Sequence, residues 1–80
     1  MNPIKPKIDY GIVLFETTQA VIKAEKVLNE AGIKIKLIPI PRHLSSNCGI
    51  SIRFELSLLD NIKSVLTDSN IPFVNILPLY

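Results

Sequence analysis

The stretch RHLSSNCGISIRF, Arg42 to Phe54, holds the only cysteine of this 80-residue chain, its only histidine and both of its arginines. A cysteine in its thiolate form is a nucleophile, and basic neighbours favour that form. Gly49, directly after Cys48, puts no side chain beside the sulfur and lets a partner's backbone come close. Arg42 and Arg53 supply positive charge, and His43 supplies a proton acceptor. Ser45, Ser46 and Asn47 bring hydroxyl and amide groups that can hold a loop or bind an anion. The group reads as an exposed, activated thiol presented on a loop.

Other chemistries fit these residues less well. A cysteine hydrolase needs its base within hydrogen-bond reach, a third group to orient that base, and an oxyanion hole beside a cleft. His43 lies five positions before Cys48 with no orienting group in sight. One Cys and one His are too few soft ligands for a structural zinc site, so no metal and no cofactor is expected. A net charge of +2 lacks the clustered basic excess of a nucleic-acid module. The strands also lack paired exposed aromatics for base stacking.

Each residue also has a plainer reading. Free cysteines are among the most buried of residues and act as small hydrophobes. The two arginines can be solvated surface charges, and Ser-Ser-Asn is ordinary turn chemistry.

To see what positions the loop, consider the whole chain. Eighty residues make one domain, read as a tail over 1–7 and a single fold over 8–80. Apolar residues are 48% of the chain and charged residues 20%, a globular balance rich in Ile, Leu and Val. No apolar run approaches the roughly 18–20 residues of a membrane span. The N-terminal MNPIKPKIDYGIVLF has prolines and an aspartate where a signal peptide needs a continuous apolar core. A cytoplasmic setting is expected, and a lone cysteine agrees with a reducing compartment.

DYGIVLF has the length and continuity of a central strand. Thr17 or Thr18 then caps a helix whose apolar positions are Val21, Ala24, Val27, Leu28 and Ala31, closed by Gly32. IKIKLIPIP alternates as a half-buried edge strand, with Lys34 and Lys36 outward, and Pro39 and Pro41 end it. In GISIRFE, Ile50, Ile52 and Phe54 point inward while Ser51 and Arg53 point outward. Ser57 is the expected cap of a second helix carrying Leu58, Leu59, Ile62, Val65 and Leu66. PFVNILPLY supplies the last strand.

The order βαββαβ predicts an α+β, ferredoxin-like fold: a four-stranded antiparallel sheet with two helices on one face. In that topology the loop between the second and third strands lies at the same end as the first helix's N-terminus. Cys48 thereby comes near Glu16, Thr17 and Thr18, where unpaired amides carry roughly half a positive charge and favour an anion.

PRHLSSNCGISIRFE resembles the signature of a small bacterial family of selenium/sulfur carrier-like proteins, through Pro41, Arg42, Ser45, Ser46, Cys48, Gly49, Arg53 and Phe54. YGIVLFETTQAVIKAEKVL is similar in kind to that family's opening strand and helix, so the resemblance runs from about Tyr10 to the C-terminus. His43 and Leu44 lie outside the pattern. The resemblance implies a carrier, not an enzyme. Cys48 would take a sulfur or selenium atom from a donor such as a cysteine desulfurase, hold it as a persulfide or selenopersulfide, and pass it to a biosynthetic enzyme.

Two other classes stay open at this point. One is a regulatory module that binds a small ligand or a protein. In it the arginine loop holds an anion, the cysteine is incidental, and a homodimer forms through exposed apolar residues of the first strand and ILPLY. The other is a redox-sensing thiol that forms intermolecular disulfides.

Overall fold

A computed structural model describes residues 9–42, 44 and 48–79. Strand β1 (Tyr10–Leu14) leads to helix α1 (Thr18–Glu30), then β2 (Ile35–Pro39) and β3 (Ile50–Glu55). A 3₁₀ turn (Leu56–Leu58) runs into helix α2 (Leu59–Asp68), and β4 (Asn75–Leu79) completes the order. The strands form one antiparallel sheet in the order β2-β3-β1-β4, the α+β arrangement expected of a ferredoxin-like fold. Pro39 and Pro78 both fall on its edge strands, where a missing N–H costs no ladder bond on the open side. Among the described residues, no helix is long and apolar enough to cross a membrane.

The register decides which residues share a face. Val13 sits opposite Ile52, and Ile35 opposite Phe54. These residues join Phe15, Ala20, Val21, Ala24 and Leu28, together with Ile62 and Leu66, in one core that buries the apolar stripes of both helices. On the other face Ile12 lies between Arg53 and Leu77, outside the core cluster that the two helices share. Ile12, Val13 and Leu14 are all buried. The first strand therefore offers no exposed apolar residues for a dimer, contrary to the expectation above.

Both helices stop alike. After α1, the Gly32 N–H bonds to the Asn29 carbonyl and the Ile33 N–H to the Leu28 carbonyl, both at 3.0 Å. After α2, Asn70 N–H reaches the Thr67 carbonyl at 3.1 Å and Ile71 N–H the Leu66 carbonyl at 2.9 Å. Each is a Schellman motif whose pivot takes a left-handed backbone, Gly32 at φ 77° and Asn70 at φ 55°.

Their starts differ. Thr17 caps α1, its hydroxyl accepting the Ala20 N–H at 3.1 Å. Ser57 does not cap α2: it lies inside the 3₁₀ turn, and the cap position is Leu58, which makes no side-chain bond. The chain passes from β3 into that turn with no linker, so the turn itself starts the helix. Leu56 N–H donates to the Asp9 carbonyl at 2.9 Å and anchors the turn beside β1. A Cβ on Gly11 would lie 2.7 Å from Leu56 Cδ2, 2.8 Å from Phe54 Cζ and 3.2 Å from the Leu77 carbonyl oxygen. A glycine is thus what lets the turn settle on the sheet.

Candidate functional site

The β2–β3 connection begins where the ladder ends. Among the described residues Pro39 opposite Ile50 is the last register pair, and one further bond follows, from Ile40 N–H to the Gly49 carbonyl at 3.1 Å. Cys48 comes just beyond that bond. Its parity matches Ile50, Ile52 and Phe54, so its side chain turns to the helix side of the sheet and enters the core. There Cys48 Sγ lies 3.8 Å from Thr18 Oγ1, within sulfur hydrogen-bond range, in the first turn of α1. The topological argument from sequence therefore puts the thiol at the correct end of the sheet, beside the helix N-terminus.

Exposure is where the structure corrects the sequence reading. Cys48 is 2% exposed and is not the projecting thiol expected from its polar neighbours. Local polarity is a poor guide here because the sulfur sits within the core, and one group it meets, the Thr18 hydroxyl, comes from a helix thirty positions earlier. Gly49 is exposed, and a Cβ there would meet nothing within 4 Å among the described residues, which leave the backbone next to the sulfur open to an approaching partner.

The supporting residues divide. Thr17 is committed to the helix cap, while Thr18 meets the sulfur. Arg42 is exposed in the turn after β2, where Leu44 N–H bonds to the Pro41 carbonyl at 3.0 Å. His43, Ser45, Ser46 and Asn47 lie outside the described residues. Arg53 is brought elsewhere. It faces the side of the sheet away from the helical core, five positions and roughly 16 Å of extended strand from Cys48. Its guanidinium carbon sits 4.3 Å from the centroid of the Tyr10 ring, a cation–π contact. Arg53 therefore adds no local charge to the thiol.

Ser51 also departs from expectation. It is fully buried, and its hydroxyl donates to the Ile38 carbonyl at 3.3 Å across the hairpin, whereas Ile50 on the helix side is 37% exposed. Period-2 alternation sorts residues into two faces without stating how far each face is covered. Among the described residues, no group of three or more His, Cys, Asp or Glu could hold a metal ion.

The described part of the site thus consists of a buried thiol, a threonine hydroxyl at a helix N-terminus, and an open glycine at the end of a hairpin ladder. A family described as "Putative Se/S carrier protein-like" matches residues 10–78. Comparison with curated proteins and with solved structures gave no match.

Proposed function

This chain belongs to that Se/S carrier-like family, and from this premise we propose that it carries sulfur or selenium covalently on Cys48. The observation that carries the reading is the placement of the chain's one sulfhydryl against Thr18 at the N-terminus of α1, next to an exposed Gly49. A helix N-terminus favours a negative charge beside it. The Thr18 hydroxyl can donate to a thiolate or to the inner sulfur of a persulfide.

The transfer balances without an oxidant. The Cys48 thiolate attacks the terminal sulfur of a donor persulfide, such as that of a cysteine desulfurase. A Cys48 Sγ–S bond forms, the donor S–S bond breaks, and the donor leaves as a thiolate that takes up the proton released from Cys48. With no second cysteine in the chain, no internal thiol can expel the cargo by forming a disulfide. Handoff to a biosynthetic enzyme repeats the same exchange with the acceptor as nucleophile, so the protein serves as a carrier and not as an enzyme.

Burial sets a condition on this cycle. The sulfur must leave its buried position to meet a donor. Its position beyond the last described β2–β3 bond lets that happen without breaking the ladder from Ile35↔Phe54 to Pro39↔Ile50.

Mass spectrometry of the intact, folded chain after incubation with a sulfur-loaded desulfurase tests the reading. The expected result is gain of one sulfur atom on the wild type and none on Cys48→Ser. Equal sulfur uptake by Cys48→Ser would end the proposal. So would a wild-type thiol that stays unloaded in the folded chain while the unfolded chain is readily modified.

A further inference from the structure

The face of the sheet turned away from α1 and α2 carries a second grouping that the thiol does not use. Tyr10 of β1, Lys34 just before β2, Lys36 within β2, and Arg53 and Glu55 of β3 line an open hollow of about 480 Å³. That volume lies within the roughly 300–1,000 Å³ typical of small-molecule sites.

Two features indicate what it accommodates. Lys36 and Arg53 are direct cross-strand partners on one face, an arrangement of like charges that destabilises a sheet. Moreover, none of Lys34, Lys36 and Arg53 has an ion-pair partner among the described residues, although Glu55 borders the same hollow. Arg53 is half-buried with its guanidinium held over the Tyr10 ring, so its planar fork of donors is kept in one place.

We propose that this hollow binds the phosphoryl group of a small phosphorylated ligand. A phosphate dianion offers several acceptor oxygens to the arginine fork and to the two lysine ammoniums. It also relieves the Lys36–Arg53 repulsion, which a single carboxylate would leave only partly neutralised. The remaining volume takes the ligand's organic body. The site lies on the face opposite Cys48, so it stands independently of the carrier reading.

Titration of the isotope-labelled full chain with inorganic pyrophosphate and with adenosine monophosphate, at constant ionic strength, tests it. Succinate, sulfate and hexaglutamate serve as comparisons, with the amide resonances of Tyr10, Lys36, Arg53 and Glu55 followed by NMR. Saturable shifts confined to these residues are expected with both phosphorylated probes. Lys36→Gln and Arg53→Gln should each weaken binding about tenfold, the loss of one charged hydrogen bond, while Cys48→Ser binds as the wild type does. Non-saturable shifts, an equal response to succinate and sulfate, or unchanged affinity in Lys36→Gln would overturn the proposal. A response to hexaglutamate alone would overturn it too, by making the hollow a docking edge for an acidic protein segment. Lys36 is exposed, so its variant remains informative if Arg53→Gln fails to fold.

Discussion

Helices α1 and α2 leave their last turns through the same hydrogen-bond motif, yet they enter their first turns by different means. At α1 a side chain does the work: Thr17 caps the helix and the neighbouring Thr18 meets Cys48. At α2 the backbone does it, through a 3₁₀ turn tied to Asp9 and seated against Gly11. The difference follows from the connections. Residues 15–17 link β1 to α1 and leave room for a cap residue in extended conformation, with φ −133° at Thr17. No residue separates β3 from its turn. The half with the linker has a helix N-terminus available to a functional group, whereas the directly connected half spends its start on packing.

Breaking the packed start should have the largest effect. Gly11→Ala forces a methyl group against Leu56, Phe54 and the Leu77 carbonyl, and the carbonyl cannot rotate away. A loss of about 1–3 kcal/mol is expected from such overpacking. Thermal unfolding would read it at roughly 4–8 °C per kcal/mol for a domain of this size.

The shared stop comes next. Gly32→Ala meets no atom of the described residues within 4 Å, so its cost is backbone strain, about 1–2 kcal/mol at φ 77°. Asn70→Gly should stay within about 0.5 kcal/mol of the wild type, because glycine is at ease in the same conformation. A large loss in Asn70→Gly would mean that the two stops are not equivalent.

The capped start follows. Thr17→Ala should cost about 1 kcal/mol in denaturant unfolding. Thr18→Val keeps that cap and a similar shape but removes the hydroxyl beside Cys48 Sγ. Sulfur loading by a donor should slow roughly two- to tenfold with little change in stability. If loading is unchanged, the Thr18 contact is packing only.

Ser57→Ala provides the smallest effect and the sharpest contrast with Thr17→Ala. Because Ser57 caps nothing, its loss should stay within about 0.5 kcal/mol. A cost equal to that of Thr17→Ala would mean the two helix starts are built alike after all.

Much of this was readable along the chain. The βαββαβ order, the central β1, the edge β2 with its lysines, the stop at Gly32 and the apolar stripes of both helices rest on local periodicity and turn chemistry. The Ser57 cap misled because serine ahead of an apolar run reads as a cap wherever a linker precedes it, and the absence of a linker is a property of where β3 ends. Arg53 misled for a different reason. Five positions from Cys48 in the sequence look close, but an odd separation along a strand sends the two side chains to opposite faces.

The elements, their order and, through topology, the place of Cys48 at the N-terminal end of α1 follow from local patterns along the chain, because hydrophobic periodicity and right-handed crossover connections allow few alternatives. The cover over the thiol, the burial of Ser51 against the Ile38 carbonyl, and the gathering of Arg53 with Lys34 and Lys36 around a hollow away from the sulfur come instead from how the folded segments meet. Burial and charge clustering are sums over neighbours contributed by distant segments, and no local pattern encodes how those segments meet.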